Sequence, residues 1–282
     1  MGRPKKERHK KGKKRKPPKP RLSDSADRYA LYQQAVQSPP ADIEFFTRVF
    51  ADLRGRTPIR LREDFCGTAL MSCEWVGSDP TRRAIGVDLD APTLARSWDL
   101  NQSRLSDAER RRLSLVCADV RDLAETRADM TCAMNFSFCV FKQRPELLRY
   151  FEVAFHGLAD EGVFVCELYG GTEAIIEFEE EREVDGFTFR WQQETYNPIS
   201  NETLCHIHFD MADGSKIKRA FTYDWRLWTV PEVREILEEA GFASSRVFWE
   251  QVDDDGDGTG EYTATDVEEN QEGWLVYIVA AK

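Results

Sequence analysis

Long apolar runs are missing from this chain of 282 residues: none approaches the roughly 18 to 20 residues that a membrane-crossing helix needs. The apolar middle of a secretory signal is missing as well, so a soluble cytoplasmic protein with no membrane partner is the expectation. Cysteine pairs of the zinc-binding type are absent. The seven cysteines, at 66, 73, 117, 132, 139, 166 and 205, include no CxxC, and their odd number within apolar stretches implies no disulfide framework. Most are expected to be small buried hydrophobes. No metal site is expected either. His206 and His208 have no third ligand nearby, and two histidines alternating on a strand read as surface decoration. The run Asp253, Asp255, Asp257, Gly258 begins like a calcium loop, but Ala264 stands at the twelfth position, where Glu is needed; it reads as a solvated acidic loop. Glycine is also scarce where a nicotinamide-binding turn would need it, because Gly67 stands alone between Gly55 and Gly77.

Charge is abundant and unevenly placed. The formal net charge of -11 conceals +11 in residues 1–21 and -22 in the remainder. The tail GRPKKERHKKGKKRKPPKPR combines dense like charge with proline and no apolar residue, so residues 1–22 are expected to be disordered when free. Its readings are tethering to nucleic acid or another polyanion, with counterion release, or a solubilising appendage. Residues 23–54 read as an N-terminal helical cap: one short helix, a break at Pro39 and Pro40, and a second helix whose Ile43, Phe46, Val49, Phe50 and Leu53 share a face.

From residue 55 to 282 strand and helix alternate through PIRLREDF, RAIGVDLD, RLSLVCADV and MTCAMNFSF, the pattern of an α/β, doubly wound parallel sheet. Between about residues 184 and 227 the rhythm changes to FTFRWQQETYN, TLCHIHFDM and SKIKRAFTYDWRLW, an antiparallel β insertion. Trp191, Trp225, Trp228 and Trp249 are expected to pack this insertion and the last strands. A helix, TVPEVREILEEAGF, follows, capped by Thr229 and Gly241; two final strands are joined by an acidic loop. No internal repeat is visible.

The chemistry-bearing residues fall at successive strand ends, where open α/β sheets bind ligands. Glu63, Asp64, Phe65, Cys66, Gly67 and Thr68 close the first strand. Asp88 closes the second, 25 positions after Glu63, where a carboxylate can bond both hydroxyls of a ribose. Asp119 closes the third, where a carboxylate can accept from an exocyclic amine. The order EDFCGT, GVDLD, CADV and NFSF resembles the class I S-adenosylmethionine-dependent methyltransferases, from about Tyr29 to Lys282. The segments ALYQQAVQSPPADIEFF, LREDFCGT and YDWRLWTVPEVREILEEAGF resemble an uncharacterised bacterial branch of that superfamily. The resemblance implies a Rossmann-like, seven-stranded, mostly parallel sheet and S-adenosyl-L-methionine as cofactor. It implies Glu63, Phe65, Cys66, Gly67 and Thr68 for the loop under the cofactor, Asp88 and Leu89 for its ribose, Asp119 and Val120 for its adenine, and Asn135 near its sulfonium. Gly67 keeps the central glycine of the family's usual GxGxG, while Phe65 and Ala69 replace the outer two.

Methyl transfer from a sulfonium already carries its activated leaving group, so alignment and desolvation can suffice, and no conspicuous general base is present. Asn135 to Phe138 matches the Asn-Pro-Pro-aromatic motif of amino-group methyltransferases only at its ends, and Cys139 lacks the preceding proline of a cytosine-methylating cysteine; it reads as a core thiol. Tyr32, Phe138, Lys142, Tyr169 and Arg226 are the candidates to reach the cleft. The expected acceptor is a small molecule, held between the carboxyl edge of the sheet and the insertion. The alternatives are an RNA- or ribosome-directed methyltransferase delivered by the tail, and a scaffold that binds the cofactor without turnover.

Overall fold

The strand Arg60–Asp64 (β1) carries the sequence RLRED, yet it lies at the heart of a sheet with four of its five residues buried. A computed structural model describes residues 20–253 and 258–282 of the chain. The basic tail up to residue 19, and Asp255 and Asp257 of the calcium-like run, lie outside the described residues. Around β1 the chain builds Arg83–Asp88 (β2), Leu113–Cys117 (β3), Ala128–Ala133 (β4) and Leu158–Gly170 (β5), all parallel to it. The insertion contributes Phe178–Val184 (β6), Phe187–Asn197 (β7), Glu202–Met211 (β8) and Lys216–Arg226 (β9), and Ser244–Val252 (β10), Gly258–Thr265 (β11) and Trp274–Ala281 (β12) end the chain. The large sheet runs β11-β10-β12-β5-β4-β1-β2-β3, with β12 antiparallel to both neighbours; the second sheet is the meander β6-β7-β8-β9.

Two expectations need correcting. The acidic loop before the last strand contains β11, which pairs with β10 and adds an eighth strand to the expected seven. The insertion begins earlier than about residue 184, because the glutamate-rich FEEEREV is itself a strand, β6.

Helices cover both faces of the large sheet. One face packs Pro39–Arg54 (α1) and Leu70–Ser78 (α2), burying Phe46, Phe50, Trp75 and Val76 against Leu61, Met130 and Val165. The other packs Arg144–Gly157 (α3) and Val230–Glu239 (α4), where Phe151, Phe164, Leu237 and Ile278 meet. Burying a side chain of this kind contributes roughly 1.5–3 kcal/mol, which fixes which face of each strand turns inward. Pro39 and Pro40 occupy the first turn of α1, where a missing N–H costs nothing. Of the predicted helix face, Ile43, Phe46, Val49 and Phe50 are buried, and Leu53 packs against the same cluster. Thr229 and Glu232 form a capping box that starts α4.

The first cap helix, Arg28–Val36 (α5), belongs to the other sheet. Ala35, with Leu31, Tyr32 and Val36, packs on Phe187, Phe189, Ile207 and Phe209 of the meander. Cap helix and meander are thus one unit standing over the carboxyl edge of the large sheet. His206 is buried in this meander, bonded to Thr222 Oγ1 at 2.9 Å and Glu194 at 2.5 Å, and is not surface decoration.

Candidate functional site

Four non-glycine residues at the strand ends take a conformation normally left to glycine. Phe65, Gly67 and Ala69 have φ of 57°, 54° and 57°, and Asn135 and Phe136, after β4, have 53° and 58°. A bulky L-residue there costs on the order of 1–2 kcal/mol, so the surroundings must hold the loops in place. They do. The Cys66 N–H donates to Val87 O at 2.9 Å and the Ala69 N–H to Cys66 O at 2.7 Å, while Asn101 Nδ2 donates to Thr68 O at 2.8 Å. The Gly67 N–H donates to Asp88 Oδ2 at 2.7 Å, and the Asp90 N–H to Asp88 Oδ1 at 2.9 Å. Asp88 therefore anchors the loop after β1, and a carboxylate oxygen that accepts one such bond keeps a further lone pair for a ligand. The spacing of three left-handed positions is that of GxGxG, reached here with one glycine.

The loop opens into a cleft of about 330 Å³, within the size range of small-molecule sites. Phe65, Cys66, Gly67, Thr68, Asp88 and Asn135 line its floor, and Tyr29, Tyr32, Phe221, Tyr223 and Trp225 its roof. The roof aromatics come from two regular patterns. Tyr29 and Tyr32 are three apart on α5, and Phe221, Tyr223 and Trp225 alternate along β9, with Tyr223 stacked on Trp225 at 4.4 Å. Two hydrogen bonds tie roof to floor: Tyr29 Oη with Thr93 Oγ1 at 3.0 Å, and Gln33 Nε2 to Thr68 Oγ1 at 2.7 Å. An Arg96–Asp27 ion pair reinforces them.

The remaining sequence-derived residues are dispersed. Glu63 turns away from this cleft, with Oε2 accepting from Ser72 N at 2.9 Å and Ser72 Oγ at 2.5 Å; burial pushes its carboxyl up to about 8. Leu89 is 70% exposed beside Asp88. Asp119 bonds Arg121 at 2.7 Å, and that guanidinium holds its carboxyl below the usual range, while Val120 is buried. Of the five cleft candidates, Tyr32 lines the cleft. Phe138 is fully buried against Phe151. Tyr169 packs behind the wall on Phe136 at 4.7 Å. Lys142 is paired with Asp224, and Arg226 lies over Trp228 and bonds Glu232 at 2.9 Å. Sequence reasoning missed Arg28, Tyr29, Thr93, Phe221 and Tyr223; the alternation in AFTYDW was the available signal for the last two.

The donor set suits the cofactor implied by the strand ends. A sulfonium is attracted to aromatic faces, which the roof supplies. Asp88 stands at the second strand end with acceptor capacity left.

No family model and no curated protein sequence matches the chain. Solved structures do. A S-adenosylmethionine-dependent methyltransferase from Clostridium acetobutylicum superposes with a TM-score of 0.63 at 16% identity, covering 89% of this chain and 96% of that one. An amino pentose methyltransferase of calicheamicin biosynthesis from Micromonospora echinaspora, with S-adenosylmethionine bound, gives 0.62 at 17%, covering 90% and 95%. A sugar N-methyltransferase from a Streptoalloteichus species gives 0.60 at 18%, covering 97% and 99%. By sheet order, by its left-handed loop and by these superpositions, the chain has the fold of the class I S-adenosylmethionine-dependent methyltransferases.

Proposed function

We propose that the protein transfers the methyl group of S-adenosyl-L-methionine to a small-molecule acceptor. The observation that carries this reading is the position of the aromatic roof directly above the loop from Phe65 to Ala69, with Asp88 and Asn135 on the same floor. The structural neighbours include enzymes described as sugar and amino pentose methyltransferases, which supports a small acceptor.

Bound in this cleft, the cofactor supplies an electrophilic methyl group on a positively charged sulfur. Asp88 accepts from ribose hydroxyls while its two backbone bonds keep the loop in register. The backbone after Asp119 and the exposed Leu89, which border the cleft at the neighbouring strand ends, would receive the adenine. Asn135, held in the left-handed region beside Phe136, sets the floor at the point of transfer. The roof excludes water and confines the acceptor to one approach. Positioning of this kind can supply about 7–11 kcal/mol of the barrier, so no dedicated base is needed.

Titration calorimetry with S-adenosylmethionine tests the cofactor. The wild type binds, and Asp88→Ala binds roughly 10- to 100-fold more weakly, the equivalent of about 1–3 kcal/mol for a charge-assisted bond. A folded wild type that does not bind overturns the reading. Incubating the protein and methyl-labelled cofactor with a metabolite extract separates catalysis from a scaffold role, for which no label would leave the cofactor.

A further inference from the structure

Beside the cleft, and sharing Gln37 and Asn135 with it, lies a second cavity of about 230 Å³. Its walls come from the start of α1, the ends of β1, β4 and β5, and strands β10, β11 and β12. Four carboxyl groups line it, those of Asp42, Glu63, Glu167 and Glu250, and no Lys, Arg or His is among its described lining residues. Aromatic rings complete it: Tyr277 lies 4.5 Å from Phe45 and 4.3 Å from Tyr262, centroid to centroid.

Two of these acids are deeply buried. Glu167 is 9% exposed and Glu63 only 4%. Glu167 Oε2 accepts from the Asn135 N–H at 2.7 Å, and Glu63 Oε2 accepts from Ser72. Among the described residues neither Oε1 has a hydrogen-bond partner, and both residues line the cavity. Asp42 accepts from the Tyr277 hydroxyl at 2.6 Å, and Glu250 from the Gly260 N–H at 3.1 Å. A buried carboxylate facing other carboxylates is costly unless a cation joins it. Burial pushes Glu63 and Glu167 up to about 8, Asp42 to about 6, and Glu250 upward, the direction expected where carboxyl groups are withdrawn from water. Carboxylates and aromatic faces together are the surroundings in which an ammonium group is best held.

We infer that this cavity is the subsite for a protonated amine of the acceptor, placed so that the neighbouring part of the same molecule lies at Asn135 in the transfer cleft. The inference rests on the methyl-transfer reading for the word acceptor, but the cation preference of the cavity stands on its own residues. It narrows the substrate class to small molecules with an aliphatic amine, and it excludes acceptors that are anionic at that end.

The test uses the full chain and two probes of equal size, n-butylammonium and n-butanol, titrated by calorimetry near pH 8. Butylammonium is expected to bind at least tenfold more tightly than butanol. Glu167→Gln keeps an oxygen for the Asn135 N–H, and Asp42→Asn keeps one for Tyr277, so both variants retain the local bonds. Each is expected to weaken butylammonium at least tenfold while the melting temperature is unchanged or higher. Equal binding of the two probes, or full butylammonium affinity in both variants, overturns the subsite. Titrating S-adenosylmethionine into the same samples separates the two claims: cofactor binding without amine preference removes the subsite alone, and amine preference without cofactor binding removes the methyl-transfer reading alone.

Discussion

The Arg62 guanidinium and the Asp64 carboxylate, two residues apart on one face of β1, meet at 2.7 Å with no exposed side-chain surface on either. The pair is completed from elsewhere in the chain. Tyr150 Oη donates to Asp64 at 2.9 Å, and the Arg62 Nη atoms donate to the carbonyls of Val120, at 2.8 Å, and Leu123. Those carbonyls belong to the segment after β3 that begins at Asp119, so the buried pair fastens the loop proposed for the adenine onto the central strand. Arg62→Ala is expected to cost about 3–5 kcal/mol in urea unfolding, because it leaves a buried charge and two carbonyls unpaired. The combined Arg62→Met, Asp64→Leu and Tyr150→Phe variant is expected to recover part of that loss. A single variant within about 1 kcal/mol of wild type would show that the clamp carries little of the fold.

The roof is held down by few bonds. Tyr29→Phe removes the bond to Thr93, and Gln33→Ala the bond to Thr68. Each neutral bond contributes about 0.5–1.5 kcal/mol, so the double variant should release S-adenosylmethionine several-fold faster with only a small drop in stability. Stopped-flow tryptophan fluorescence reads the rate; an unchanged rate means the roof does not gate release.

Stability should fall as pH rises from 6.5 to 8. Unfolded Asp and Glu side chains titrate near 3.8 and 4.5, whereas burial raises Asp42 to about 6 and Glu63 and Glu167 to about 8. In the window between, the folded state binds more protons than the unfolded one. The contribution is complete below the unfolded values and is lost as pH climbs through 6 and then 8. His208, lowered by burial, acts in the opposite direction near and below its ordinary 6.5. Urea midpoints measured across that window should decline, and Glu63→Gln with Glu167→Gln should flatten the decline. A flat wild-type profile would falsify the assignment of raised values to these two acids.

At the end of β5 the backbone leaves no room for a side chain. A Cβ at Gly170 would stand 2.1 Å from the Trp274 ring, which itself packs on Trp249 at 5.1 Å. Overpacking at this point costs about 1–3 kcal/mol, so Gly170→Ala should lower the melting temperature, and adding Trp274→Leu should return part of the loss. Wild-type stability in Gly170→Ala would mean that Trp274 swings away freely.

Strand ends were the most legible part of this sequence, because Asp88 and Asp119 each follow a mostly apolar strand and, with Glu63, recur at the spacing of βαβ units. Helix α1 was legible for a similar reason: its apolar side chains repeat at helical spacing. The strands β6 and β11 were hidden by composition. FEEEREV reads as charge, and GTGEYTAT follows an Asp-Gly run that reads as loop; both exist because a neighbouring strand offers a ladder, which no local pattern records. Phe65 and Ala69 concealed the glycine-type loop, since their left-handed conformation is imposed by Asp88, Asn101 and the backbone around them. The acidic cavity was beyond local reading because Asp42, Glu167 and Glu250 lie far apart in the chain and converge through the β5-β12-β10 pairing.

The second sheet presents β6 as its outer edge, with four glutamates in seven residues and little of the strand buried. An unpaired edge is a template for a further strand, and a row of like charges makes a second copy of itself the worst possible partner. The protein therefore carries its own safeguard against edge-to-edge polymerisation at neutral pH.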